Sequence, residues 1–418
     1  MRSLQQVVIW LGLVAVAGSA SADNTNPNFL PFGERAAMLG NAGFTSPQGE
    51  AVYYNPANLG RIDYPSLSVS GSTFLLYELS MNPYGIVDGV EQPFSASGFV
   101  AIPSSLVSTY RFGTWTLASA ILVPEALTYK NRQTYRFPDE EDTILNEVIE
   151  QSLWLGLGVG REIVPGLYGG VSAFVARDTS SAVSIIHARS LSTMDRIQAA
   201  GSTDTAILNV VGILGLHWQP SPMFGVGFRA QLPTIELSGS QDTWTSTIVT
   251  DAMGMIIDST EQAADDLHAS NPTPTDLGLG IAVRPVPRVE LLADVGVQLP
   301  KTITTLEVAG MKETEKLETA VRVSVGAELE VSTNKWLRLG GMYNRSAATP
   351  LANGGPGKEN YIGATLGFSF LRDRTITSVG VFGMQSKPEA YVNGTDPPQL
   401  SEARVRLYGA LIAISYRL

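Results

Sequence analysis

Fourteen short stretches of apolar residues alternating with polar or small ones run from residue 67 to residue 418, and the connections between them switch regularly between very short and long. A period of two sends successive side chains to opposite faces of a strand. Inside a bilayer every backbone N–H and C=O needs a partner, so a sheet that crosses the membrane has to close on itself. An even strand number, strands of about 10 residues, short turns at one end and long loops at the other are what a transmembrane barrel requires. The chain is therefore expected to be all-β, a 14-stranded antiparallel transmembrane β-barrel.

The expected strands are 67–77, 95–109, 113–124, 151–161, 167–178, 204–218 and 223–234, then 274–284, 288–299, 319–331, 336–345, 360–371, 375–385 and 402–418. Tight connections follow the even-numbered ones, as at Gln219-Pro220-Ser221-Pro222, Pro285-Val286-Pro287 and Ser332-Thr333-Asn334-Lys335. Register gives the lipid face. In the ninth strand Val289, Leu291, Ala293, Val295, Val297 and Leu299 share one face, with Glu290, Asp294 and Gln298 on the other. In the tenth, Val321, Val323, Val325, Leu329 and Val331 oppose Arg322, Ser324, Glu328 and Glu330, so the charges are expected to point inward. The last strand carries Tyr408, Ile412, Ile414, Tyr416 and Leu418 on one face, and resembles the assembly signal of outer-membrane barrels, with leucine in place of the usual terminal phenylalanine.

The start of the chain fits export. Arg2, an apolar stretch from Val7 to Ala17 and Ala20-Ser21-Ala22 form a secretory signal peptide, residues 1–22. No later apolar run reaches the roughly 18 residues of a membrane-spanning helix. With 28 basic and 39 acidic residues the net charge is −11, and loss of Arg2 with the leader makes it one unit more negative, which argues against nucleic acid as a partner. There is no cysteine for a disulfide or thiolate site, and His187, His217 and His268 are scattered. No serine stands in a Gly-x-Ser-x-Gly setting. Neither an enzyme nor a bound metal or cofactor is expected.

The sixth strand is apolar on both faces, with Ile207, Val211 and Ile213 against Leu208, Val210, Leu214 and Leu216. Either the lumen is greasy or plugged and suits an apolar ligand, or a narrow barrel fills itself with small and apolar side chains.

Ahead of the barrel lie Gly33-Glu34-Arg35-Ala36-Ala37-Met38-Leu39-Gly40-Asn41-Ala42-Gly43 and Ala51-Val52-Tyr53-Tyr54-Asn55-Pro56-Ala57-Asn58-Leu59-Gly60. The motif Asn55-Pro56-Ala57, placed after a leader and before the first strand, resembles that of the FadL-type outer-membrane transporters for long-chain fatty acids and aromatic hydrocarbons. The motif-specific part of the resemblance is 33–62; the architecture extends it over the mature chain. It implies an N-terminal hatch (23–64) inside a barrel (65–418), passive passage of a hydrophobic compound such as a fatty acid across the outer membrane, and helices in the third and fourth external loops that capture it. It also implies a kink in the third strand that opens a lateral gap. No breaker stands within 115–123, whereas Pro103 interrupts the second strand, marking either a bulge or gap there or the end of its ladder.

Apolar residues at helical spacing occur in three long loops: Ile144, Leu145, Val148 and Ile149 in 139–150; Ile185, Ile186, Leu191, Met194 and Ile197; and Met253, Met255, Ile256 and Ile257 in 251–268. These loops are expected to be helical there. Ile185, Ile186, Leu191, Met194, Met253, Met255, Ile256 and Ile257 then form either the capture site or a mere cap. Asp139-Glu140-Glu141-Asp142 either bridges divalent cations to lipopolysaccharide or is simply solvated. Arg322 and Arg338 are inward-facing candidates for a ligand carboxylate, or else neutralise Glu328, Glu330 and Asp294. The alternative to a monomeric transporter is a scaffolding barrel that binds a surface partner and conducts nothing.

Overall fold

The computed structural model describes residues 25–26, 30–87, 89–136, 140–308, 311–349, 358–392 and 399–418, and the leader lies outside them. The strands in chain order are β1 (Ser66–Val87), β2 (Val90–Phe112), β3 (Trp115–Arg136), β4 (Glu140–Val164), β5 (Leu167–Ser190), β6 (Arg196–Ser221), β7 (Phe224–Gln231), β8 (Ile235–Thr250), β9 (Ile256–Ala269), β10 (Asp276–Val286), β11 (Val289–Gln298), β12 (Lys301–Val308), β13 (Met311–Leu317), β14 (Ala320–Ser332), β15 (Lys335–Asn344), β16 (Tyr361–Arg372), β17 (Thr375–Ser386), β18 (Glu389–Val392) and β19 (Gln399–Arg417). Fourteen of them pair in sequence around a closed antiparallel ring: β1 to β7, β10, β11, β14 to β17 and β19, which returns to β1 with Ser66 opposite Arg417. The remaining five extend the wall beyond the ring. The fourteen expected strands are these fourteen.

Six turns of two residues close one end, at 113–114, 165–166, 222–223, 287–288, 333–334 and 373–374. Gly113, Gly166, Asn334 and Asp373 hold positive φ in them, the backbone that suits the twist of a tight hairpin. By the barrel convention this end is periplasmic. At the other end β1 to β6 are twice as long as a crossing needs. They run 22 to 26 residues against the about 10 that span a bilayer, so their upper halves form a wall outside the membrane.

That wall corrects the sequence reading. Residues 140–150 belong to β4, Ile185 and Ile186 to β5, Ile197 to β6, and 256–268 to β9; none is helical. Apolar pairs four apart, such as Ile144 with Val148 and Leu145 with Ile149, satisfy one turn of helix and two repeats of a strand equally, so spacing alone could not separate them. Residue Asp139 lies outside the described residues, and Glu141 is ion-paired with Arg136 at 3.0 Å across the β3–β4 pairing.

Outward faces carry the apolar band expected of a lipid-facing surface, with Leu291, Val295, Val325, Leu366, Val381 and Ile412 all exposed. Tyr110, Phe112, Trp115, Trp218 and Tyr416 ring the periplasmic end, and Phe74, Phe99, Tyr343 and Tyr408 the other. From Tyr408 to Tyr416 is about 27 Å of strand and about 20 Å of thickness at a tilt of roughly 40°, most of the about 25 Å height of an outer-membrane apolar belt.

The lumen is filled. Residues 30–62 pack inside the ring, with Phe32, Phe44, Val52, Tyr53, Tyr54 and Leu59 in one buried cluster with wall residues Val107, Leu122, Trp154, Phe174, Val211 and Ile213. A second cluster joins Ala37 and Met38 to Tyr77, Met342, Phe382 and Leu407.

Candidate functional site

Asn55 heads the 3-10 turn Pro56–Arg61: its Oδ1 accepts from Ala57 N at 3.2 Å, and Pro56 occupies the first turn position, where a missing N–H costs nothing. Its Nδ2 donates to Phe44 O at 2.8 Å and to Leu216 O of β6 at 3.1 Å, so one fully buried amide ties the turn both to the lumen segment and to the wall. Asn58 Nδ2 donates to the same Phe44 carbonyl at 2.9 Å.

The wall makes room for this turn by having no side chains there. A Cβ on Gly215 would lie 2.1 Å from Asn55 Oδ1, one on Gly170 2.3 Å from Pro56 O, one on Gly160 2.5 Å from Pro56 O, and one on Gly227 2.2 Å from Phe44 O. Four neighbouring strands, β4 to β7, thus present inward-facing glycines to one turn. The signal was in the sequence as glycine at inward register positions, but it cannot be told from the many glycines of a crowded barrel until the turn is placed.

Buried charges fasten the rest of the segment. Arg35 reaches Glu290 of β11 at 2.6 Å and Glu328 of β14 at 2.9 Å, and Arg338 of β15 meets Glu328 at 2.6 Å. Glu50 Oε1 accepts from the backbone N–H of Glu34 and Arg35 at 3.1 and 2.8 Å, and Ser378 Oγ donates to Glu34 at 2.8 Å. Burial, reinforced by the Glu50 carboxylate, pushes the Glu34 carboxyl up to about 7. Asp294 of β11 accepts from Gly43 N and Phe44 N at 2.7 and 2.8 Å, turning a strand carboxylate into an anchor for loop backbone.

Of the two candidate carboxylate partners, Arg338 is committed to Glu328, as the neutralising alternative had it. Arg322 pairs with Asp276 at 2.7 Å rather than with Glu328, Glu330 or Asp294. Arg229 shares that Asp276. One amino group of Arg322, Nη1, is buried without a hydrogen bond and borders a narrow crevice of about 30 Å³ lined by Phe44, Tyr53, Met342, Tyr361 and Met384. That is space for about one water.

The ring is closed, but its β2–β3 ladder is interrupted. Ser97 pairs with Lys130 and Ser105 with Leu122, but no pairs join 98–104 to 123–129. Pro103 stands on one side of this break, where the β1–β2 register also shifts. Pro124 stands on the other, where the β3–β4 register shifts between Leu122 and Glu125. Neither proline can donate to a ladder. The third strand is thus irregular at Pro124, one residue beyond 115–123. Leu30, Pro31 and Phe32 of the lumen segment face the break with Val100, Ser104, Val123 and Ala126 around about 20 Å³ of space.

On the outer wall, the pairing of Arg196 with Thr250 sets the β5–β6 tip beside the β8–β9 tip. Leu191, Met194, Met253, Met255, Ile256 and Ile257 are thereby brought to adjacent tips, all exposed, Met253 at 83%. Ile186 is buried lower in β5, and Ile185 is half-buried there. The histidines stand apart: His187 on β5, His268 on β9, and His217 buried in β6 beside the Tyr168 ring.

These features define an outer-membrane β-barrel of fourteen strands whose lumen is occupied by its own N-terminal segment. Solved structures with this fold include a Pseudomonas aeruginosa FadL homologue, matched over 94% of this chain and 98% of that one with a TM-score of 0.60 at 12% identity. The P. putida toluene transporter TodX matches over 93% and 98% with a TM-score of 0.62 at 11% identity. The Ralstonia pickettii toluene transporter TbuX matches over 94% and 99% with a TM-score of 0.54 at 15% identity. No protein-family model matches the chain, and no curated protein matches it in sequence.

Proposed function

We propose that this protein passes hydrophobic small molecules, long-chain fatty acids or compounds like them, through the outer membrane by passive diffusion, with residues 23–64 as a hatch inside the barrel 65–418. The break in the β2–β3 ladder carries the reading: a wall that interrupts its own hydrogen bonding with two prolines, beside apolar residues of the hatch, gives a greasy solute a way between lumen and bilayer that a sealed barrel would not need. The fold shared with hydrocarbon transporters supports it. Capture begins at the exposed tips of Leu191, Met194, Met253, Met255, Ile256 and Ile257, since apolar side chains held in water gain by covering each other or a ligand. The hatch is held by Asn55-Pro56-Ala57, and the free Nη1 of Arg322 offers a donor to a polar ligand headgroup when the hatch moves.

The crevices beside Arg322 and beside the β2–β3 break, about 30 and 20 Å³, are each too small for such a ligand, so passage by either requires hatch displacement. The same tightness favours the second reading, a scaffolding barrel that conducts nothing. Mass spectrometry of small hydrophobic molecules from protein purified in a detergent without alkyl carboxylates decides between them. Co-purified fatty acid or aromatic hydrocarbon, reduced in the Asn55→Ala, Pro56→Ala variant, is the expected result. Protein that is empty and binds no added fatty acid would sink transport.

A further inference from the structure

We propose that the periplasmic mouth contains an anion-binding site centred on Arg61, and that the compound received there carries a carboxylate. The site stands on its own geometry; naming as its ligand a transported solute that leaves by this mouth, rather than sideways by the β2–β3 break, rests on the transport reading.

The mouth holds an open cleft of about 520 Å³ between the 3-10 turn and the tight hairpins, within the size range of small-molecule sites. Arg61, Arg111 and Arg284 line it, against the carboxylates of Asp63 and Glu162. Glu162 Oε1 is already engaged by Gly166 N at 2.8 Å within its own turn. Arg111 lies 3.3 Å from Asp63 at the rim, and Arg284 3.2 Å from Glu290, a carboxylate that Arg35 holds more closely at 2.6 Å. Arg61 has no such partner. Its Nη1 donates to two neutral acceptors, Thr45 O at 2.7 Å and Asn58 Oδ1 at 2.9 Å, which fix the plane of the guanidinium. Among the described residues no carboxylate stands within ion-pair distance of it.

The contrast with the lumen is what gives the observation weight. Arg35, Arg229, Arg322 and Arg338 are each neutralised by a buried carboxylate. Arg61, at the mouth of the same interior, has no carboxylate within ion-pair distance among the described residues, and burial lowers its pKa to about 10, with the more distant Glu290 opposing the shift. A guanidinium held from one side and open through Nε and Nη2 on the other is the geometry that takes a carboxylate by two parallel hydrogen bonds. Ile163, Val164 and Pro47 supply apolar surface beside it for the chain that follows.

The test is calorimetric titration of the full-length protein, in a nonionic detergent, with hexanoate and with hexanol, which share an alkyl chain and differ in the headgroup. Wild type is expected to prefer the acid. The acid-to-alcohol preference should fall about tenfold in Arg61→Gln, the loss of one charge-assisted pair, and survive in Arg61→Lys. Arg111→Gln, at the exposed rim and away from the hatch, should lower it by a smaller factor and covers the case of a misfolded Arg61 variant. Equal affinity for acid and alcohol in wild type, or a preference that both glutamine variants retain, overturns the site. Proteoliposomes loaded with laurate or dodecanol separate the two readings: hexanoate binding with no flux of either solute keeps the site and rejects transport, whereas flux without hexanoate preference keeps transport and rejects the site.

Discussion

At the scale of single residues, polar groups taken out of water are paired one by one with the segment they hold. Arg35 is the densest case, since two barrel carboxylates converge on it. Arg35→Met should destabilise the docking of residues 30–62 by roughly 3 to 5 kcal/mol, because Glu290 and Glu328 lose a shared counter-charge while staying buried; protease cleavage within 30–62 of the purified variant, faster than in wild type, is the check. Glu34 sets a pH dependence. Its folded pKa, about 7, lies above the ordinary 4.5, so the neutral carboxyl is the form the packed lumen segment favours. Its stabilising contribution is complete below about 4.5 and is lost as pH rises through about 7. The groups around it, Glu50, Glu328, Arg338 and Ser378, belong to the same network. Wild-type hatch protection should therefore be weaker at pH 8 than at pH 5, and Glu34→Gln should flatten that difference. Both arginine and glutamate were visible in the sequence, but nothing in the order of residues joined Arg35 to carboxylates more than 250 positions away.

At the scale of elements, strand identity was legible because a half-buried strand repeats every two residues and tight turns need Gly, Asn or Asp at positive φ. Strand length was not. Once β3, β4, β5 and β6 leave the membrane, neither water nor lipid enforces alternation, and apolar pairs four apart at Ile144 and Val148 read as helix. Two element-level outcomes follow. Replacing Pro103 and Pro124 together by alanine restores two N–H groups to the β2–β3 break; uptake of the solute into proteoliposomes should fall, with the barrel's thermal stability equal or higher. Exchanging Met253, Met255, Ile256 and Ile257 for glutamine removes the β8–β9 part of the apolar tip and should lower uptake at limiting solute concentration while leaving uptake at saturating concentration close to wild type.

At the scale of the whole molecule, the barrel is a closed ring with a filled lumen, and its conductance tests that directly. Wild type in a planar bilayer should pass little ionic current, and deletion of residues 30–62 should turn it into a steadily conducting pore, since Asp276, Glu290, Asp294, Arg322 and Glu328 would then line water. Wild-type current as large as that of the deletion would mean that the segment does not seal the barrel. Local period, turn chemistry and spacing along the chain were enough for the all-β class, the fourteen strands, the lipid face of the ninth and tenth of them and the position of the Asn55-Pro56-Ala57 turn. Tertiary contacts alone show that the turn seats on glycines of four strands, that Arg322 answers Asp276, that Pro103 and Pro124 flank one break, and that Arg61 at the mouth has no carboxylate within ion-pair distance among the described residues. Each of these depends on which strands become neighbours across the ring, and ring closure brings together residues whose separation along the chain carries no information about their distance in space.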